Sequence, residues 1–149
     1  MLTAVCTAAA VLSACTAARW YLCRTSRRET SRWGGRVRLT ELWNQGAAFG
    51  LPIGRRTLLA LSAGALAAVI RRRGKSPAAA GLVLGGGLAN LWERLRYGRV
   101  YDYLRFPKAP GPLGRYVYNL ADLALFAGAA GLLLGRRRRR PARPPRRGC

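Results

Sequence analysis

Two aspartates, Asp102 and Asp122, are the residues of this chain best placed to do chemistry. Its 149 residues hold five acidic side chains against 27 Lys and Arg, so neither carboxylate passes as ordinary surface solvation. Asp122 stands in NLADLALFAGAAGLLLG, Asn119 to Gly135, which is otherwise free of charge. An unpaired carboxylate in such a run costs about 2.5 to 3.5 kcal/mol on membrane-insertion scales. Two carboxyls sharing a desolvated site do not both ionise, and the pair titrates with separated apparent pKa values. Such a pair can hold a water, one member acting as general base and the other as acid toward a carbonyl oxygen or leaving amine. That chemistry would be hydrolysis of a peptide bond. Histidine is absent, which removes Ser-His and Cys-His nucleophile activation and His-containing zinc sites. Spacing alone leaves a plainer alternative open: Asp122 as the structural ion partner of Arg94 or Arg115, and Asp102 as a loop residue bonded to its own backbone.

The elements that must position these residues follow from an unusual pairing: half the residues are hydrophobic while the net charge is +22. Arg residues cluster, and long apolar runs lie between the clusters, which is the patterning of a bilayer protein. The expected architecture is an integral membrane, mainly α chain with four transmembrane helices, at about 1–20, 57–71, 76–92 and 116–135. Arg19, Trp20 and Tyr21 close the first run as an interfacial group. A signal peptide competes there, since Leu12 to Cys15 resembles a lipobox, but no basic residue precedes the run. The run from Thr57 to Ile70 is short enough to be re-entrant, with flanking Arg able to snorkel. Residues 93–115, with Pro107, Pro110 and Pro112, read as a loop with little regular helix.

Residues 136–149 form an Arg-rich tail that cannot bury a core and suits anionic headgroups. Its bare charge carries no base-reading pattern, so nucleic acid is not an expected partner. Four spans put both termini on one side. Lys and Arg number twelve on that side and fourteen on the other, so the positive-inside count does not decide. The dense basic groups abutting the spans at 71–75 and 136–140 favour cytoplasmic termini, with Asp102 and Asp122 at the outer face. The cysteines (Cys6, Cys15, Cys23, Cys149) lack metal-ligand spacing and read as packing residues. No metal or cofactor is expected.

Three ordered segments then carry a resemblance. NQGAAFG from Asn44, GGGLANLWERLRYGRVYDYL through Asp102, and YVYNLAD ending at Asp122 resemble the signature segments of lipoprotein signal peptidase, or signal peptidase II. That family's pattern reads approximately NxGAAF, GGxxGNxxDRxxxGxVxDF and FNxAD. The resemblance implies a membrane aspartic endopeptidase that cuts a bacterial prolipoprotein before its diacylglyceryl-modified cysteine, with Asp102 and Asp122 as the catalytic dyad. It implies that Asn44 and Gly46 line the substrate site, and that Asn90, Arg94 and Asn119 hold the dyad and substrate by hydrogen bonds. It also implies a small extramembrane β-cradle between helices 1 and 2. Membrane lipids and diacylglyceryl-modified prolipoproteins are the implied partners, and a monomer is expected.

The chain departs from the pattern in several places. Glu93 replaces the aspartate of the DR pair, Tyr103 and Tyr118 replace Phe, and the first span lacks the family's acidic and lysine residues, with Arg19 the nearest substitute. These departures keep a second reading open, a non-catalytic membrane paralogue that binds lipidated signal peptides or acts as a scaffold.

Overall fold

The computed structural model describes residues 1–25, 30–45, 54–72 and 76–137. Four long helices occupy the apolar runs: α1 (Leu2–Thr25), α2 (Arg55–Arg72), α3 (Pro77–Tyr97) and α5 (Leu120–Arg137), with a single turn, α4 (Pro112–Arg115), before the last. Strands β1 (Thr30–Arg32) and β2 (Val37–Asn44) follow α1, while β3 (Val100–Arg105) and β4 (Val117–Tyr118) flank α4. By length and hydropathy α1 meets the measure of a membrane-crossing helix, with mean hydropathy 1.5; the apolar part of α5, Leu120–Gly135, is shorter.

Helix α3 is the centre of the bundle, and its small residues explain why. An ideal Cβ on Gly81 or Gly85 would lie 2.6 Å from the carbonyl oxygen of Ala4 or Ala8 in α1. A Cβ on Gly86 would lie 2.6 Å from the Ala121 carbonyl of α5, and one on Gly87 2.6 Å from Leu66 Cδ2 of α2. Successive residues turn by about 100° around a helix, so the run Gly85–Gly86–Gly87 offers a bare backbone to three neighbours in turn. Such close approach replaces the hydrophobic drive that helices lack in lipid. Along the α1 side, Cys15 is buried with Ala89 and Ala121, which accords with a packing role, whereas Cys6 and Cys23 are exposed; Cys149 lies outside the described residues. The hydroxyls of Thr7 and Thr16 donate to the carbonyls of Thr3 and Leu12, four residues back, both at 2.8 Å, so these two side chains are satisfied within α1.

The sheet corrects two expectations. It has four antiparallel strands in the order β1-β2-β3-β4, and only half of it comes from between α1 and α2. The other half comes from Val100–Arg105, expected to be loop, and from Val117–Tyr118, expected to open the last span. Helix α3 runs five residues past Trp92 to Tyr97, and Gly98 stops it. At φ 73° Gly98 takes the left-handed conformation that suits glycine, its N–H bonding Arg94 O at 3.0 Å. The reversal feeds straight into β3, where Val100, Tyr101, Asp102 and Tyr103 are all buried. Likewise the last helix begins at Leu120 rather than Tyr116, because Val117 and Tyr118 pair with Arg105 and Leu104 of β3.

Candidate functional site

Asp102 and Asp122 arrive at the site on different elements. Asp102 lies in the middle of β3 opposite Leu42 of β2, and is 2 % exposed. Alternation along a strand puts Val100 and Asp102 on the face shared with Leu42 and Asn44, while Trp43 and Tyr101 stack on the other with ring centroids 4.9 Å apart. Asp122 lies in the first turn of α5. Asn119 is the N-cap of that helix: its Oδ1 accepts from the Asp122 amide at 2.9 Å, and Asp122 Oδ2 accepts from the Asn119 amide at 3.1 Å. This is a reciprocal capping box. A helix start also favours a carboxylate in its first turn, so local physics alone accounts for an acid at this point of an apolar run.

The two carboxylates are joined by asparagine amides. Asn119 Nδ2 donates to Asp102 Oδ1 at 2.8 Å and to Asn90 Oδ1 at 3.1 Å. Asn90 Nδ2 donates to Asp122 Oδ1 at 2.9 Å, and Asn44 Nδ2 donates to Asp102 Oδ2 at 3.1 Å. Each of the four carboxylate oxygens thus accepts one N–H. The chain of bonds also settles the Asn119 and Asn90 amide orientations, since reversing either would set donor against donor. The dyad is held from β2, α3 and the α5 cap together. Burial, and then the charge of Asp122, push the Asp102 pKa up to about 6, against the opposing pull of its two amide donors and of Arg94. This is the environment in which a carboxyl carries or loses a proton near neutral pH.

Both aspartates line a cavity of about 530 Å³ between α2, α3, α5 and the sheet. Its sheet end is polar, with Asn44, Asn90, Arg94 and the aspartates; its other walls are apolar, with Leu58, Leu66, Val83, Leu125 and Phe126. Asn44, Asn90 and Arg94, which the resemblance assigned to the site, line this cavity with the aspartates, and Asn119 bonds Asp102 beside it. Arg94 stands at the cavity with Nη1 donating to Asn90 O at 3.4 Å. Gly46 lies outside the described residues. Among the described residues no group of three His, Cys, Asp or Glu could hold a metal ion.

A search against family models aligns residues 6–136 with signal peptidase (SPase) II. The chain belongs to the signal peptidase II family. A lipoprotein signal peptidase of Methylorubrum extorquens (strain PA1) is 40 % identical over 116 residues, covering 69 % of this chain and 65 % of that relative. One of Nitrobacter hamburgensis is 37 % identical over 126 residues, covering 72 % and 77 %. The chain thus spans just under two thirds of the length of the first of these relatives. A solved bacterial membrane enzyme, determined by the in meso method at 2.3 Å resolution, superposes with a TM-score of 0.81 at 20 % identity, covering 93 % of this chain and 89 % of that one. It shares the fold.

Three contacts near the dyad were not anticipated. The Tyr103 hydroxyl, where the family pattern has Phe, accepts from the Leu120 amide at 3.1 Å and so satisfies the first free N–H of α5; burial pushes that phenol to about 12. Glu93 faces away from the cavity: its Oε2 accepts from the Tyr101 amide at 2.8 Å, and its Oε1 lies 3.6 Å from Arg19 Nε. The α2 wall, with Leu58, Ser62 and Leu66, carries no sequence signal at all. For Glu93 the signal existed in the helical period: it lies four and eight residues from Ala89 and Gly85 on the α1 side of α3.

Proposed function

We propose that this chain is a membrane aspartic endopeptidase which removes the signal peptide from bacterial prolipoproteins by cutting before the diacylglyceryl-modified cysteine. The observation that carries this reading is the asparagine-bridged pair, the buried Asp102 and the half-buried Asp122 with every carboxylate oxygen held by an N–H, at the polar end of an apolar-walled cavity. A water held between Asp102 and Asp122 attacks the scissile carbonyl. The ionised carboxyl takes the water proton, and the protonated one donates first to the carbonyl oxygen and then, after proton exchange, to the leaving amine. Asn44, Asn90 and Asn119 fix the carboxyls so that little reorganisation accompanies the charge movement. Arg94 keeps a cation at the cavity, and the apolar wall between α2 and α5 suits the acyl chains of the lipidated cysteine. The named lipoprotein signal peptidases of other bacteria support the same substrate class.

The membrane domain occupies residues 1–135 in four spans, with 136–149 as a cytoplasmic tail. Helices α2, α3 and α5 have 18, 21 and 18 residues, or about 27 to 32 Å at 1.5 Å per residue, close to the roughly 30 Å of a bilayer core. With cytoplasmic termini, the sheet and dyad lie at the outer face of the bacterial cytoplasmic membrane, and the enzyme works as a monomer.

Cleavage of a diacylglyceryl-modified prolipoprotein by the purified chain tests the reading. Asp102→Asn and Asp122→Asn should each lower turnover by about 10²- to 10⁴-fold. Unchanged activity in either variant sinks the dyad, and tight substrate binding by a wild type that never cleaves would favour the non-catalytic paralogue.

A further inference from the structure

The scarcity of acid in this chain singles out Glu41 and Glu93 as firmly as it does the aspartates. Of the five acidic residues, Glu29 lies outside the described residues and two form the dyad; the remaining two both bind Tyr101. Glu93 Oε2 accepts the Tyr101 backbone N–H at 2.8 Å, and Glu41 Oε1 accepts its phenolic hydroxyl at 2.8 Å. Tyr101 immediately precedes Asp102 in β3 and is itself 2 % exposed. Burial, and then the hydrogen bond to Glu41, hold its phenol well above the ordinary tyrosine range.

We propose that Glu93 is a positioning residue for Asp102, fixing the height of β3 against α3 by gripping the peptide that leads into the aspartate. The grip has three parts. The Glu93 carboxylate sits on the α1 side of α3, where Arg19 Nε lies 3.6 Å from its other oxygen. Arg19 is in turn steadied by Tyr97, donating to its hydroxyl at 3.2 Å and standing over its ring at 4.0 Å. The chain from α1 through Arg19 and Glu93 to the Tyr101 amide therefore ties the outer ends of α1 and α3 to the strand that carries Asp102. Because α3 also carries Asn90, which bonds Asp122, the same helix sets the position of both carboxyls.

The role lies in the reach of the side chain more than in its charge. An aspartate at 93 would keep the charge but draw its oxygens back by about 1.5 Å, one carbon–carbon bond, too far to accept from Tyr101 without moving the strand. A glutamine keeps the reach and an acceptor oxygen while losing the charge. Displacement of a catalytic group by about 1 Å costs on the order of 10²-fold in rate, so reach and charge are separable by kinetics.

The inference rests on the dyad reading, and the experiment distinguishes the two. Cleavage of a synthetic diacylglyceryl-modified prolipoprotein is measured with the full chain in detergent for Glu93→Gln, Glu93→Asp, Tyr101→Phe and Asp102→Asn, with thermal unfolding of each. Glu93→Asp should lower kcat by about 10- to 100-fold with KM within about twofold. Glu93→Gln should stay within about threefold of wild type, and Tyr101→Phe, which keeps the peptide N–H, should fall between them. If Glu93→Asp does not fold, Glu93→Gln still decides, since a large loss of kcat on removing charge alone overturns the proposal. So does a Glu93→Asp enzyme as fast as wild type, or one impaired only in KM. Activity retained by Asp102→Asn would refute the dyad itself, a different failure from a dead Asp102→Asn alongside a reversed order of the Glu93 variants.

Discussion

Replacing Asp102 by Asn should change how the stability of the fold depends on pH, and the size of the change follows from the site. The folded carboxyl titrates at about 6, raised from an ordinary 3.8 by burial and by the charge of Asp122. Below pH 3.8 the group is protonated whether the chain is folded or not. Between about 4 and 6 the unfolded chain gives up the proton while the folded one retains it, so the unfolded state binds fewer protons and stability falls as pH rises. A rise from 3.8 to about 6, at about 1.4 kcal/mol per pKa unit, amounts to about 3 kcal/mol lost by the wild type across that window. Asp102→Asn has no such proton. It does set an NH2 group against either Asn44 or Asn119, a pH-independent penalty of about 1 to 3 kcal/mol. The swing is therefore the test, and the absolute stability is not. Chemical unfolding in detergent, followed by the fluorescence of the four tryptophans from pH 3.5 to 7.5, should show Asp102→Asn gaining about 3 kcal/mol on the wild type as pH rises. A gap that stays flat, or that moves the other way, refutes a buried Asp102 of raised pKa.

Two further outcomes follow from the packing. Asn119→Ala removes the N-cap acceptor of α5 and the amide that links the carboxyls, so it should lower unfolding free energy by about 1 to 2 kcal/mol and reduce cleavage more than stability loss explains, read as kcat per folded molecule. Gly86→Ala places a methyl 2.6 Å from the Ala121 carbonyl, and should cost about 1 to 3 kcal/mol in the same unfolding experiment.

The helices could be read from the sequence because each is a local matter: an apolar run bounded by Arg, Pro or Gly states its own period and ends. The two strands contributed by residues 100–118 could not. Val117 and Tyr118 make a strand only because β3 lies beside them, and Asp102 looked like a loop residue because its pairing partner, Leu42, is 60 positions away. Prolines 107, 110 and 112 pointed to irregular chain, and they do border a single helical turn, but they say nothing of the strands on either side. The two aspartates stood out by their type, as carboxylates in an acid-poor chain, whereas Asn44, Asn90 and Asn119 were named only through the resemblance to the family's segments. What escaped was the supporting layer. Glu93 stands next to Arg94 in sequence, yet adjacent residues on a helix point about 100° apart, and it faces Arg19 instead.

The same angle gives the glycine run of α3 a consequence for the gene. Gly85, Gly86 and Gly87 each meet a different helix, and Asn90 follows Gly86 by four residues, on the side where Asp122 waits. A single codon gained or lost in this repetitive stretch would leave the composition and hydropathy of the helix almost untouched. It would nevertheless turn everything beyond it by about 100°, carrying Asn90 away from Asp122 and Glu93 away from Tyr101 in one step. Substitution within the run loosens one interface at a time, whereas a change of length puts the two halves of the helix out of phase. The run acts as an angular reference for the end of the molecule that carries the two aspartates, and its length sets that angle.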